Sequence, residues 1–171
     1  MSLAKSFESI CSIQMQEQGY FVQRIPDQMS FLKGSKNPCD YITYKYPYIF
    51  LMEMKTTAGS SLPLRNISDF QMKSLNDCFL NKGVIGLYIV WFYDKGITVA
   101  ILGDYIANLD KKSIRYDDEN CIRIEGTKKK KYFEYNFTKL FSEVKKAYEN
   151  RLRKNRSSVA RNRKNSSRSS K

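Results

Sequence analysis

Asp40, Glu53 and Lys55 are the residues whose types and spacing point to chemistry in this chain. Asn37-Pro38-Cys39-Asp40-Tyr41-Ile42 opens a short run of high β-propensity. Lys45-Tyr46-Pro47 breaks that run, and Tyr48 to Met52 is an unbroken apolar stretch of strand length leading into Glu53-Met54-Lys55. A turn centred between Tyr46 and Pro47 sets Asp40 opposite Glu53, give or take one residue, in an antiparallel hairpin. Side chains alternate along a strand, so Glu53 and Lys55 share a face and Met54 points away. Two neighbouring carboxylates repel, and a divalent cation between them removes that penalty. A lysine beside them can position a water or stabilise charge developing on a phosphate. Together these groups are the minimum for metal-dependent phosphodiester hydrolysis.

A Glu-x-Lys pair on a strand is by itself usually a solvated ion pair contributing well under ~1 kcal/mol. Three features argue for more. The apolar run before it predicts a strand buried on both faces. A second acid stands at the matching point of the preceding strand. Gly34 and Asn37-Pro38 supply loop residues suited to an open cleft.

Composition narrows the chemistry further. The 171 residues suit one domain plus an appendage, and 10 Phe and 12 Tyr within a 42% hydrophobic composition suffice for a core. The chain has no histidine, which excludes Ser-His-Asp and Cys-His catalysis and leaves carboxylates, lysine, tyrosine and a hard, oxygen-loving metal. The four cysteines, Cys11, Cys39, Cys78 and Cys121, are scattered without a C-x-x-C pair, which argues against zinc and for free thiols in a reducing cytoplasm. No apolar run reaches membrane-span length, and the N-terminus lacks the apolar core of a signal peptide, so no membrane partner is expected. The net charge of +13 is uneven: residues 151–171 hold nine Lys and Arg and no acid, leaving +4 for residues 1–150. That division predicts a folded domain over 1–150 and a basic, disordered tail over 151–171, which attracts phosphates with little sequence preference or serves only as a solubilising extension.

The elements that must position the three residues read as follows. Leu3, Phe7, Ile10, Cys11 and Gln14 follow helical spacing within Ser2–Gln18, with Gly19 as C-cap. Tyr20-Phe21-Val22 begins an extended segment that breaks near Pro26. Residues 56–66 read as a loop. Ser68-Asp69-Phe70-Gln71 has capping-box spacing and opens a helix through about Leu80. Val84–Tyr93 is a second buried strand, Asp94-Lys95-Gly96 a turn, and Ile97–Leu102 the strand that returns on it. Gly103–Asp110 suggests a short helix, residues 111–127 are weakly patterned, and Lys128–Lys131 is a basic run. Thr138 to about Arg153 is amphipathic, with Leu140, Phe141, Val144, Tyr148 and Leu152 on one face. The order predicts an α/β domain with a mixed central sheet flanked by helices.

Helical Glu, strand Asp, Glu-x-Lys and a following helix with Gln is an order that resembles the PD-(D/E)-x-K nuclease superfamily. Across roughly residues 5–105 the chain is similar to the RecU-type Holliday junction resolvases of Gram-positive bacteria and their phages. Pro38-Cys39-Asp40-Tyr41-Ile42 resembles that family's Thr-Asp-Tyr segment, and the strand from Tyr48 to Thr57 its strand ending in Glu-Ala-Lys-Glu-Thr. Leu62-Pro63-Leu64-Arg65-Asn66-Ile67-Ser68-Asp69-Phe70-Gln71 is similar to its Phe-Pro-Leu-x-Asn-Ile-x-x-His-Gln stretch. Gly83 to Val90 resembles the strand that follows. The Pro-Leu-x-Asn-Ile match is the most specific, because nothing in generic nuclease chemistry demands it.

The resemblance implies a restriction-endonuclease-like core in which Asp40 and Glu53 hold Mg²⁺ or Mn²⁺ and Lys55 orients or activates the attacking water. It also implies Glu8 as an outer carboxylate and Gln71 touching the metal's water or the DNA backbone. Capping Ser68 accounts for Gln71 equally well, and Glu on an exposed helix face accounts for Glu8. Phe70 stands where the family has His. The family's long stalk is reduced here to Pro26–Asn37, including Met29, Phe31 and Leu32. The function implied is symmetric nicking of four-way DNA junctions by a homodimer in the cytoplasm of a bacterial host cell. The alternatives are a superfamily relative, such as a phage nuclease, acting on duplex or branched DNA, and a non-catalytic basic nucleic-acid-binding protein in which Glu53 and Lys55 form a structural ion pair.

Overall fold

The computed structural model describes residues 2–26, 37–129 and 132–166, with side chains through residue 155. The expected stalk, with Met29, Phe31 and Leu32, lies outside the described residues. Its two ends are tied together, since the Asn37 side-chain amide donates to the Pro26 carbonyl at 2.8 Å.

In chain order the elements are α1 (Leu3–Glu17), β1 (Phe21–Arg24), β2 (Tyr41–Lys45), β3 (Tyr48–Thr57), β4 (Ser61–Pro63), α2 (Asp69–Asp77), β5 (Val84–Phe92), β6 (Ile97–Leu102), α3 (Gly103–Ala107), β7 (Ser113–Arg115), β8 (Ile122–Arg123), β9 (Gly126–Lys128), β10 (Phe133–Tyr135) and α4 (Phe137–Ser166). Six strands form the central sheet in the order β1-β2-β3-β5-β6-β8. Among the described residues only the β3–β5 pairing is parallel, with α2 in the crossover, so the sheet is mixed as the sequence predicts.

Alternation on the central strands divides the core in two. Phe50, Met52 and Met54 of β3 and Ile85, Leu87 and Ile89 of β5 face α1 and α4, where they meet Phe7, Cys11, Met15, Phe141 and Val144. Tyr88, Val90 and Phe92 face the opposite side with Leu75, Ile101 and Ile106, under α2 and α3. Both faces of β3 and β5 are thus covered, which explains their continuous apolar runs. Gln14, at an apolar position of α1, is buried because its amide donates to the Phe133 carbonyl (2.8 Å) and accepts from the Tyr135 N–H (2.8 Å), fastening α1 to β10.

Two glycines set the position of α2. A Cβ on Gly86 would lie 2.1 Å from the Leu75 carbonyl oxygen, and one on Gly103 would lie 2.6 Å from the same atom. The last turn of α2 therefore rests directly on the backbone of β5 and of the β6–α3 junction, closer than any side chain permits.

Differences from the expected elements are local. The helix that opens at Ser68 ends at Asp77 and tightens into a 3₁₀ turn over Cys78–Leu80. Residues 56–66, read as a loop, contribute β4, which pairs with β7 from the weakly patterned stretch. Strands this short show no periodicity. The boundary expected at residue 150 falls inside α4. Arg151 Nε donates to Asp104 Oδ2 at 2.6 Å and Leu152 packs on the core. The backbone stays helical through Ser166, where composition predicts disorder, because extending an existing helix adds one hydrogen bond per residue fixed and Arg, Lys and Ala favour it.

Gly86→Ala tests this close approach. Forcing α2 off the sheet is expected to cost about 1–3 kcal/mol or more in chemical denaturation. Unchanged stability would show that α2 does not depend on contact with the β5 backbone.

Candidate active site at the end of β3

The hairpin pairs Tyr41 with Met52 through Lys45 with Tyr48, so its turn centres between Tyr46 and Pro47. One further step in that register brings Asp40 across from Glu53. Asp40 N–H donates to the Met52 carbonyl at 3.0 Å, and its carboxylate Oδ2 accepts from the Met54 N–H at 2.8 Å. There β2 stops, while β3 continues to Thr57, paired on its other side with β5. Asp40 thus satisfies a backbone donor on the edge that β2 leaves open, and the site forms where one strand outruns its neighbour.

Glu53 is 2% exposed. Its Oε1 accepts from Lys55 Nζ at 2.8 Å and from Gln71 Nε2 at 2.6 Å. Its Oε2 is buried and has no hydrogen-bond partner among the described residues. Burial pushes the Glu53 carboxyl up to about 7, the Asp40 charge adds to that, Lys55 opposes it, and Glu8 adds a smaller upward push. Gln71 reaches Glu53 from the first turn of α2. Its N–H donates to Ser68 Oγ (3.2 Å), and its Oε1 accepts from the Ser68 N–H (3.2 Å) and from Lys55 Nζ (3.5 Å). The capping role and the contact with the site therefore belong to the same side chain.

Asp40, Glu53, Lys55 and Gln71 are brought together. Glu8 stands further out on α1, where its Oε2 lies 3.9 Å from Arg24 Nη2, and its negative charge is felt at Glu53, Tyr41 and Cys11. Two neighbours escape a reading of the sequence. Tyr88 is paired with Glu53 across the parallel β3–β5 ladder, and its buried hydroxyl has no partner among the described residues. Burial, then the Glu53 charge, raises its pKa. Parallel pairing is not fixed by any local turn, so only the assembled sheet shows this neighbour. Arg24 sits at the end of β1, and no motif marks it as the partner of Glu8.

The donor set suits a hard divalent cation. Glu53 offers a desolvated oxygen without a partner, and Asp40 adds a second carboxylate. Among the described residues no group of three or more His, Cys, Asp or Glu stands together to cage an ion. A pair of carboxylates with positions left for water and substrate phosphate is how Mg²⁺ is usually held, whereas zinc needs a closed His or Cys set. A cavity of about 400 Å³ beside Pro47, Tyr48 and Gly83 lies at the opposite end of β3.

The raised carboxyl gives a signed pH dependence. Below its ordinary 4.5, Glu53 is protonated folded or unfolded and costs nothing. As pH rises from 4.5 to about 7, the unfolded chain releases the proton while the folded one keeps it, so stability falls; above that the cost is constant. With a chelator present, Glu53→Gln is expected to gain on the order of 2–3 kcal/mol over the parent between pH 5 and pH 8. Parallel curves for the two proteins in urea denaturation would show that the carboxylate is not desolvated.

No family model matches the chain, and no curated protein matches it in sequence. Its fold is found among solved structures. Hjc, a Holliday junction resolvase from the archaeal hyperthermophile Archaeoglobus fulgidus, superposes with a TM-score of 0.53 at 13% identity, over 70% of this chain and 94% of that one. No helix among the described residues is long and apolar enough to cross a membrane. The chain has the mixed α/β, restriction-endonuclease-like fold of that resolvase.

Proposed function

We propose that this chain is a metal-dependent, structure-selective DNA endonuclease that resolves four-way junctions by paired nicks, acting as a homodimer. The observation that carries the reading is the buried Glu53. One of its oxygens is shared by Lys55 and Gln71, the other has no partner, and Asp40 stands beside it. The likeness in fold to the archaeal resolvase supports it, as does the strongly basic composition. The RecU-type assignment rests on the sequence segments around Asp40, Glu53, Pro63-Leu64 and Gly83.

In this reading Asp40 and Glu53 would hold Mg²⁺ or Mn²⁺, which would supply Lewis-acid chemistry at the scissile phosphate. Lys55, fixed by Glu53 and Gln71, orients the attacking water and offsets negative charge on the phosphate oxygens as they gain it. Gln71 holds Lys55 and Glu53 in register and leaves the amide within reach of water or the DNA backbone. Glu8 is an outer carboxylate, steadied by Arg24. Matched nicks on opposite strands need two such sites, hence a dimer. The second reading is a non-catalytic DNA-binding protein. It is favoured by the direct 2.8 Å Lys55–Glu53 contact and by the lack of a three-ligand group among the described residues.

A labelled four-way junction and a matching linear duplex, each incubated with and without Mg²⁺, separate the readings. The nuclease cuts the junction only with the metal and binds it without; a binder is indifferent to it. Asp40→Asn is expected to lower cleavage by at least ~100-fold while DNA binding persists or tightens, because a negative charge facing phosphate is gone. Cutting at the parental rate would remove Asp40 from the site.

Lys55→Arg keeps the charge but replaces a compact ammonium with a planar fork that cannot occupy the same point. Substantial loss of cleavage is expected in both Lys55→Arg and Lys55→Ala. Full activity in the arginine variant would make Lys55 a general phosphate contact.

A further inference from the structure

No role in the chemistry above falls to the basic run at residues 128–131. Its described residues, Lys128 and Lys129, lie on the β9–β10 hairpin, which folds over α1. Between the hairpin, α1 and the end of β5 lies a cavity of about 220 Å³, whose lining includes Phe7, Trp91, Tyr132, Phe133, Lys128 and Lys129. Its aromatic walls are ordered. Phe7 and Trp91 stack with centroids 5.4 Å apart at 29°, and Phe133 stands edge-on to Trp91 at 6.5 Å and 69°. Phe7 is buried and fixed, whereas Tyr132 at the mouth is 46% exposed.

The chemistry of this lining is that of a site for single-stranded nucleic acid: flat π-faces for a base, with lysine ammoniums at the rim for its phosphates. The volume is below the ~300–1,000 Å³ of pockets that enclose a drug-sized ligand and suits one planar ring system. Lys129 pairs with Glu134 at 2.9 Å, a surface ion pair of small worth that a phosphate can displace, and an exposed aromatic between two lysines suits a nucleotide better than an apolar protein segment. The position is also suggestive. Trp91 is paired with Thr56, the residue after Lys55, so the cavity and the candidate site lie on opposite faces of the same end of the sheet. Phe7 precedes Glu8, whose charge is felt at Glu53. A strand whose phosphate lies at Lys55 has only to pass around the sheet's end to bring a base a few nucleotides away to the cavity.

We infer that the cavity between α1, β5 and the β9–β10 hairpin is a binding site for one unpaired base of a DNA strand, with the flanking phosphates on Lys128 and Lys129. The inference rests on the nuclease reading only for the nature of the strand.

Trp91 is the chain's sole tryptophan and lines the cavity, so it reports occupancy without a label. The experiment titrates the full chain, in EDTA, with a short oligothymidylate and with an abasic strand of equal length, following Trp91 emission and affinity. Oligothymidylate is expected to quench the emission and bind more tightly; the abasic strand is expected to leave it unquenched. Tyr132→Ala, at an exposed position, should weaken oligothymidylate at least ~5-fold and leave the abasic strand unchanged. Lys128→Ala with Lys129→Ala should weaken both. Equal affinity and equal emission for the two strands would overturn the inference in favour of backbone attraction alone. So would a Tyr132→Ala variant that sediments as a smaller species while binding oligothymidylate like the parent, which would assign the cavity to a second copy of this chain. Quenching by oligothymidylate in EDTA, together with no junction cleavage once Mg²⁺ is supplied, would defeat the nuclease reading alone. Metal-dependent cleavage without quenching would defeat only the base site.

Discussion

A carboxylate in the interior is the constraint on which this molecule turns. Glu53 follows an apolar strand into a place that is 2% exposed, and a buried carboxylate must be protonated, paired or bound to a cation. Two nearby side chains answer that demand. Lys55, two residues on and therefore on the same face, supplies the opposing charge. Gln71 supplies an amide donor, but only because α2 lies against the sheet, and α2 lies there because Gly86 and Gly103 present bare backbone to Leu75. Leu75 is one helical turn from Gln71, so packing at one end of the helix fixes the polar contact at the other.

The sheet does the rest by ending unevenly. Where β2 stops, Asp40 takes over a backbone partner and places its own charge next to Glu53, which sharpens the constraint instead of relieving it. A structure selected for stability alone would not set two acids there. The unmet oxygen of Glu53 and the neighbouring Asp40 are what point away from a merely structural ion pair.

Much of this was legible along the chain. The apolar run from Tyr48, the break at Tyr46-Pro47 and the alternation of Glu53 and Lys55 are local signals, and the hairpin register they imply is the one observed. The capping box at Ser68 was equally plain, because its partners are three residues apart. Contacts that depend on pairing between distant strands were not legible. Tyr88 lies beside Glu53 through a parallel ladder, β4 finds β7 across nearly a third of the chain, and Gln14 is buried by an exchange of hydrogen bonds with β10. The helical spacing that runs to about Arg153 placed Leu152 on the apolar face, where it packs, but charge composition put Arg151 in a tail and does not register that Asp104 waits opposite it.

The double duty of Gln71 restricts what evolution can put there. The capping box is satisfied by Gln or Glu alone. Glutamate would close the box and yet bring another negative charge against a carboxyl already reluctant to ionise. Shorter amides would leave either Ser68 or Glu53 unserved, and an apolar residue both. Position 71 thus has one acceptable amino acid for two unrelated reasons. A variant that drifts away from Gln71 keeps the backbone N–H that binds Ser68 Oγ but withdraws the amide that holds the buried acid.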